Sequence, residues 1–202
     1  MDDLCIICPS GYWKAFIEAL LDRPRHLGIR EITYRVLVLN DGQQEMMLRE
    51  GSDFANRLRG RFNHSVMLLD GDRVSEDTSG NALEKRLRAE LEPIWQSDAA
   101  VVVAEPALES WLLEGHRAFA RIGQLKGVDV RKWFSDEGIW PKETDTPDQP
   151  RHAVEALFRE FGVAFSAANY RLVARDFPIR FDRIESASFR RFILTLRNWF
   201  LP

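Results

Sequence analysis

The sequence has no apolar run long enough to cross a bilayer, and its N-terminus lacks the basic segment that opens a secretory signal. These absences argue against a membrane protein and against a secreted one. We therefore expect a cytoplasmic protein with no membrane partner. The 202 residues are 45% apolar, which is enough for a hydrophobic core. Global disorder is thereby excluded, and the length suits one α/β domain with a small appendage.

Several common catalytic motifs are missing as well. The chain has neither a glycine-rich loop that would cradle a phosphate nor a Gly-x-Ser-x-Gly nucleophile elbow. Its four histidines are scattered and form neither a pair four residues apart nor a recognisable triad. They are given no functional role.

Cysteine is scarce: Cys5 and Cys8 are the only two, in a Cys-x-x-Cys spacing. That spacing occurs in redox motifs and in zinc sites. No second pair of cysteines or histidines follows at the distance that a zinc finger needs. Both residues lie in or just after a short apolar segment, so a reduced, buried pair is the favoured interpretation.

Charge is unevenly distributed along the chain. Residues 1–114 carry 13 basic and 20 acidic side chains, and residues 115–202 carry 15 and 11. An acidic first part beside a basic second part is compatible with a metal site next to a polyanion-binding surface. Ordinary surface variation explains an imbalance of this size equally well.

The hydrophobic pattern alternates between strands and helices over the first half. The expected strands are Leu4–Cys8, Ile32–Leu39, Ser65–Leu69 and Ala99–Ala104, with Asn40-Asp41-Gly42 ending the second. The expected helices are one that Ser10 caps and Pro24 stops, one from Glu45 to Phe62, Ala82–Trp95, one opened by Glu105-Pro106, Val130–Glu137, Arg151–Phe161, Ala167–Arg175 and Ser186–Phe200. This order predicts an α/β fold with a four-stranded, mainly parallel sheet flanked by helices. We expect a domain over residues 1–114 and, packed on it, a helical extension over residues 115–202.

Two carboxylates follow the third expected strand. Asp70 and Asp72 are separated by Gly71, and alternate residues of an extended segment point the same way. Carboxylates at the carboxyl end of a parallel strand could hold Mg²⁺ or Mn²⁺, since hard cations prefer oxygen ligands. The alternative is an ordinary turn, where aspartate and glycine are common.

A second acidic pair, Glu105 and Glu109, follows the fourth expected strand. Glu105 would lie on the same edge of the sheet as Asp70, and Glu109 comes one helical turn later. The pair could extend a metal site or supply a general base. It could also be no more than a favourable placement of acids at a helix start.

Arginine dominates the last part of the chain. Seven arginines face three acids between residues 171 and 197, and guanidinium groups bind phosphate well. The arginines are Arg171, Arg175, Arg180, Arg183, Arg190, Arg191 and Arg197. We expect Arg171, Arg175, Arg190 and Arg191 to contact nucleic acid, with a solvated basic face as the alternative. The interleaved aromatics Tyr170, Phe177 and Phe181 could stack on bases, although the core is the favoured place for them.

The strand order with Asp70-Gly71-Asp72 after the third strand resembles the Toprim domain of topoisomerases, primases and overcoming-lysogenization-defect nucleases. A closer resemblance is to small Toprim-like proteins of bacterial antiphage defence loci, including a component of methylation-associated defence systems. The matching phrases are Val103–Leu113, which reads VAEPALESWLL, Trp133–Pro141 and Phe189–Phe200. The likeness runs over most of the chain.

The resemblance implies a Mg²⁺-dependent nuclease site. Asp70, Asp72, Glu105 and Glu109 would be catalytic, with the metal on Asp70, Asp72 and Glu105. Toprim enzymes also carry a glutamate just after the first strand, where this chain has Cys8-Pro9-Ser10-Gly11 and no acid. Glu18 lies about two helical turns further on.

Three functions follow as hypotheses. The first is an accessory protein of a prokaryotic antiviral defence system that binds nucleic acid or partner proteins and, if active, acts as a metal-dependent phosphodiesterase. The second is a catalytically degenerate Toprim fold that serves as an interaction module in a larger defence complex. The third is an α/β domain that binds a nucleotide or another small phosphate at the strand tips.

Overall fold

A computed structural model describes residues 1–39, 44–73, 79–179 and 181–202. The predicted turn at Asn40-Asp41-Gly42, and Arg180, lie outside the described residues, as does the side chain of Phe181. The strands are β1 (Asp2–Cys8), β2 (Tyr34–Val38), β3 (Phe62–Asp70) and β4 (Ala99–Ala104). The helices are α1 (Gly11–Leu21), α2 (Pro24–Leu27), α3 (Gln44–Arg57), α4 (Gly80–Trp95), α5 (Leu108–Glu114), α6 (Val130–Asp136), α7 (Pro150–Glu160), α8 (Ala167–Arg175) and α9 (Ala187–Trp199).

The four strands form one parallel sheet in the order β2-β1-β3-β4. The predicted α/β class and parallel arrangement are thereby confirmed. The chain runs from β1 to one neighbour, β2, and then crosses to the other side to form β3. This reversal creates a crevice between the carboxyl ends of β1 and β3, which is where open α/β sheets bind ligands.

The sheet is buried on both faces, as parallel sheets are. Leu4, Ile6 and Leu68 belong to a core shared with α1, α5, α7, α8 and α9. Alternate residues such as Ile7 and Met67 face the opposite side, where α3 and α4 cover them. The side-chain period of two along a strand explains why these runs are almost continuously apolar.

Helices from the second half of the chain pack directly on the sheet. Phe189, Phe192 and Ile193 of α9 lie in the same buried cluster as the first strand and α1. The Trp111 ring of α5 stacks on Phe192, at 5.5 Å between centroids. The residues after 114 therefore share a hydrophobic core with those before it, while a domain boundary at residue 114 stays a prediction.

Two sequence expectations are wrong at element ends. Glu105 and Pro106 do not open a helix: they are joined by a cis peptide bond, and α5 begins at Leu108 after an extended Ala107. Phe62 does not end a helix but begins β3. Gly60, with φ of +90°, turns the chain between α3 and β3 in a conformation that favours glycine.

No helix among the described residues is long and apolar enough to cross a membrane.

Candidate functional site: the carboxyl edge of the sheet

Asp70 is the last residue of β3 and lies at the crevice beside β1. Its side chain is only 8% exposed. Its Oδ1 accepts hydrogen bonds from the Trp13 indole, at 3.1 Å, and from the backbone N–H of Leu108, at 2.8 Å. The carboxylate therefore joins the first turn of α1 to the start of α5.

Gln44 fixes the backbone at the same point. Its side-chain amide donates to the Asp70 carbonyl at 2.6 Å and accepts from the Asp70 N–H at 2.8 Å. The pair of bonds resembles a strand ladder and satisfies both polar backbone groups of the strand end. Because Gln44 is itself buried, the position of Asp70 is tightly determined.

Asp72 lies on the exposed side of the same loop. Its backbone N–H donates to the Pro106 carbonyl at 2.7 Å, which ties the loop after β3 to the loop after β4. A side chain at Gly71 would place its Cβ 3.1 Å from the Ala104 carbonyl oxygen. Glycine there allows the two loops to approach each other closely.

Glu109 lies in the first turn of α5 and is 4% exposed. The Tyr170 hydroxyl of α8 donates to its Oε1 at 2.6 Å, and Arg151 of α7 acts on it electrostatically. A carboxyl that is buried in an apolar helix needs a hydrogen-bond partner. The structure supplies a buried hydroxyl partner from the second half of the chain.

These three carboxylates influence one another. Burial and the nearby charge of Glu109 raise the pKa of Asp70 to about 6. Burial also raises the pKa of Glu109, with a further contribution from Asp72. Asp70, Asp72 and Glu109 thus form one acidic cluster, in which each charge disfavours the next.

Glu105 stands apart from this cluster, and it has no ion pair with the residues that the structure describes. Its side chain is exposed, and its Oε1 lies so close to Gly80 that a Cβ on that glycine would clash with it. The carboxylate therefore points at the N-terminus of α4. Negative charge is favourable there because the first N–H groups of a helix carry partial positive charge. The predicted metal ligand role of Glu105 stays a prediction.

The end of β1 offers no acid of its own. The Cys8 thiol donates to the Leu37 carbonyl, and Ser10 caps α1 by accepting from the Trp13 N–H at 3.5 Å. Glu18 forms an ion pair with Arg171 of α8, so its carboxylate serves the packing of α8 on α1. Cys5 and Cys8 are both buried free thiols, as predicted, and burial raises the pKa of each to about 12.

The predicted nucleic-acid arginines are spread over two helices. Arg171 pairs with Glu18, and Arg191 donates to Glu84 Oε1 at 2.7 Å. Arg190 donates to the Ile184 carbonyl, while Arg175 is exposed. Two of the four are therefore held in ion pairs within the chain, and a nucleic-acid role for all four stays a prediction.

The aromatic residues of this region belong to the core. Tyr170 and Phe177 are almost fully buried, so the hypothesis that they stack on bases is wrong for both. The alternative, that they pack in the core, is confirmed for these two residues. The reason is the packing of α8 on α1, where Phe16 meets Phe177 edge to face at 5.9 Å.

The acidic cluster fits only one kind of metal site. Within the described ranges, no three His, Cys, Asp or Glu side chains are arranged to hold an ion together. Mg²⁺ commonly binds one or two protein carboxylates and takes its other ligands from water and substrate phosphates. Gly71–Arg73 forms a 3-10 turn, so Asp70 and Asp72 are not alternate residues of one extended strand as expected. An ion that both residues share with a phosphate stays a prediction.

The comparisons with known proteins agree with the fold. No family model matches the sequence, and no curated protein does. Among solved structures, the C-terminal region of the OLD protein from Burkholderia pseudomallei is similar over 98% of both chains, with a TM-score of 0.51 and 13% identity. The fold is Toprim-like. At this identity the likeness establishes the architecture and leaves the chemistry to the residues themselves.

Sequence reasoning missed three residues that build this Toprim-like edge. The helical spacing of apolar residues predicts Trp13 only as part of the apolar face of a helix, Gln44 matches no motif, and Tyr170 is expected in the core or, as the alternative, stacked on a base. Each contributes a polar atom that matters only once β3, α1 and α8 are brought together. For Trp13 and Tyr170 one signal was available, because a buried indole or phenol needs a partner for its polar group.

Proposed function

We propose that this chain is a Toprim-like protein of a prokaryotic antiviral defence system that acts on phosphodiester bonds at the carboxyl edge of its sheet. The observation that carries the proposal is the acidic cluster of Asp70, Asp72 and Glu109. Three mutually repelling carboxylates at a crevice, two of them buried, are costly without a cation. Carboxyl groups with pKa values raised in this way are found more often in binding and catalytic sites than in a structural core.

The roles follow from exposure and partners. Asp72 is exposed and faces an incoming substrate, while Asp70 is held by Trp13 and Leu108 behind it. Together they would hold Mg²⁺ or Mn²⁺, which polarises a bound phosphate and lowers the pKa of water. Glu109, whose raised pKa brings it nearer to neutrality, would exchange a proton in the reaction. Arginine side chains would neutralise the phosphate charges.

Manganese titration tests the metal site directly. We expect Mn²⁺ to bind the wild type in a calorimetric titration and to bind Asp72→Asn at least about tenfold more weakly. The matched control is Asp53→Asn, because Asp53 is an exposed aspartate of α3 away from the strand tips. Flat isotherms for the wild type, or equal losses in both variants, would contradict the metal site.

Cleavage assays test the activity. Single-stranded DNA, double-stranded DNA and RNA are incubated with the wild type in Mg²⁺ or Mn²⁺. We expect cleavage of at least one of them, and its loss in Asp72→Asn but not in Asp53→Asn. Cleavage that survives in Asp72→Asn would come from another site or from a contaminant.

A catalytically degenerate interaction module is the second candidate, and one observation favours it. The end of β1 has no acid, and the Trp13 indole N–H occupies Asp70 Oδ1. Metal binding without cleavage, or neither, together with stable co-purification of another protein of the same defence system, would support this candidate. The cytoplasm is the expected location for either function.

A further inference from the structure

The C-terminal half of the chain contains a cleft of about 740 Å³ that shares no residue with the acidic cluster. One wall is the 3-10 segment His116–Arg121, and a second is the loop that follows α6. Residues 176–178 and 183–185 contribute the third wall. A volume of this size is typical of sites for nucleotide-sized molecules.

Cationic side chains from all three walls line the cleft. They are Arg117 and Arg121 from the 3-10 segment, Arg131 from α6, Lys142 from the loop, and Arg183. A smaller adjoining cleft repeats Arg117, Arg131 and Lys142 and adds Lys132. The cations thus converge from separate parts of the chain and do not follow one helix face.

Some of these cationic side chains have no close ion pair within the described part of the chain. Arg117 and Lys142 make no hydrogen bond or ion pair with any residue that the structure describes. Among the described residues, the ion-pair partner of Arg183 is its neighbour Asp182, at 4.0 Å. Arg121, by contrast, is paired with Asp176 at 2.6 Å.

The acids of the cleft offset these charges incompletely. Glu114 accepts backbone hydrogen bonds from Glu185 and Ser186, and burial raises its pKa to about 7. Asp176 is committed to Arg121. Asp145 and Glu185 lie exposed at the rim. The unpaired guanidinium and ammonium groups therefore face a site where anionic oxygens would be attracted.

The loop wall is held in place by specific contacts. Trp140 is 4% exposed, and its indole N–H donates to the Thr144 carbonyl at 2.9 Å. The Arg131 guanidinium lies 4.2 Å from the centre of the Trp140 ring and donates to the carbonyls of Trp140 and Pro141. These contacts hold the loop that carries Lys142, which lines the cleft together with Arg117.

The apolar lining gives the cleft a packed floor. Trp140, Phe177 and Pro178 contribute to its lining beside the cations. Phe177 packs so closely over Gly115 that a Cβ there would lie 2.4 Å from its ring. The rings of Trp140 and Phe177 are 4% and 1% exposed, so they support the cleft, and recognition of a phosphate depends on the charged side chains.

We infer that this cleft binds the phosphate groups of a nucleotide, with Arg117, Lys142 and Arg183 as the phosphate ligands. A free nucleoside triphosphate and the 5′-phosphorylated end of a nucleic acid present the same chemistry. The cleft shares no residue with the acidic cluster. Binding in the cleft therefore does not depend on the divalent cation proposed at the sheet edge.

The test uses the full chain in EDTA, which removes any contribution from the strand-tip metal. ATP is titrated by calorimetry, and a short 5′-phosphorylated oligonucleotide with a fluorescent 3′ label is titrated by anisotropy. We expect saturable binding of at least one probe. Binding of ATP alone identifies a free nucleotide as the ligand source, and binding of the oligonucleotide alone identifies a nucleic-acid end.

The double variant R117A/K142A should bind that probe at least about tenfold more weakly. Its matched control is K85A/R88A, which also removes one arginine and one lysine, from the exposed face of α4. The control and Asp72→Asn should stay within about twofold of the wild type. All four replaced cations are exposed, so both double variants are expected to fold.

Three results would overturn the inference. One is a failure of both probes to bind the wild type. Another is an equal loss in the two double variants, since that would show only a dependence on net charge. The third is a loss in Asp72→Asn, which would assign the binding to the edge of the sheet.

Discussion

The two candidate sites of this protein treat charge in opposite ways. At the sheet edge, Asp70 and Glu109 are buried, and neutral donors from Trp13 and Tyr170 reach them. In the C-terminal cleft, Arg117 and Lys142 are exposed and make no internal pair among the described residues. Buried charges affect folding, whereas exposed charges affect mainly what binds. Substitutions at the sheet edge should therefore change stability, and substitutions in the cleft should change affinity.

Replacing Asp70 should give the largest effect on stability, and the effect should depend on pH. Its pKa is about 6 in the folded chain against an ordinary value of 3.8. A carboxyl whose pKa is raised by folding contributes stability below pH 3.8, and this contribution is lost as the pH rises through 6. Relative to Asp70→Asn, which stays neutral, the wild type should lose up to about 3 kcal/mol of unfolding free energy between pH 4 and pH 7.

Urea denaturation at a series of pH values measures this difference. Asp53→Asn is the control, because it replaces an exposed aspartate of α3 by the same residue type. Parallel profiles for the wild type and Asp70→Asn would show that the burial of Asp70 carries no electrostatic cost. The sheet edge and the cleft would then differ less in the effect of their charges on stability than the burial of Asp70 predicts.

Tyr170→Phe should have the next largest effect. It leaves the buried Glu109 carboxyl without its hydroxyl donor, which costs about 2 kcal/mol for a hydrogen bond to a charged group. The loss of that bond should also raise the pKa of Glu109 further. Urea denaturation measures the loss of stability. Tyr12→Phe is the control, because the Tyr12 hydroxyl donates a long hydrogen bond, 3.5 Å, to the Phe165 carbonyl. Equal losses of unfolding free energy in Tyr170→Phe and Tyr12→Phe would show that the hydrogen bond from Tyr170 to Glu109 adds no particular stability.

Gly115→Ala tests whether the cleft has a packed floor. The new methyl would meet the Phe177 ring at 2.4 Å, and overpacking of this kind costs about 1–2 kcal/mol. Gly123→Ala is the matched control, because its Cβ would meet nothing within 4 Å. Thermal unfolding of both variants gives the comparison. An unchanged Tm in Gly115→Ala would mean that Phe177 moves freely and that the floor of the cleft is soft.

Arg121→Ala should give the smallest effect on stability. Its ion pair with Asp176 lies at the surface, where such pairs contribute less than about 1 kcal/mol. Thermal unfolding at low and high salt measures the contribution, which should shrink as salt screens the pair. A loss as large as that in Tyr170→Phe would contradict the contrast between the buried and the exposed site.

The sequence predicted the sheet better than the site. The apolar runs of β1, β3 and β4 were recognised because a strand buried on both faces needs almost continuous hydrophobic residues. The carboxylates Asp70, Asp72 and Glu109 were all named from the sequence, and they form one cluster. Glu105 was expected beside Asp70 because it follows the neighbouring strand, but its side chain lies against Gly80. Position after a strand sets the edge on which a residue lies and leaves the direction of its side chain open.

The cleft was beyond the reach of sequence patterns. The segment between α6 and α7 is polar and contains prolines, yet nothing local in it indicates that Trp140 anchors it or that Lys142 lines a cleft together with Arg117. The arginines between residues 171 and 197 are prominent in the sequence because they are dense there. The structure spreads those that it describes over several contacts, and of these Arg183 lines the cleft.

The sequence by itself determined the α/β class, the alternation of strands and helices along the first half of the chain, and the position of Asp70 and Asp72 after a buried strand. These features depend on periodicity and on the chemistry of neighbouring residues, which local sequence carries. Tertiary structure decided the partners of each charge: Trp13 for Asp70, Tyr170 for Glu109, and Glu18 for Arg171. Those pairs join residues 57, 61 and 153 positions apart. They come into being only when the core that α1, α5 and α8 share with the sheet has formed.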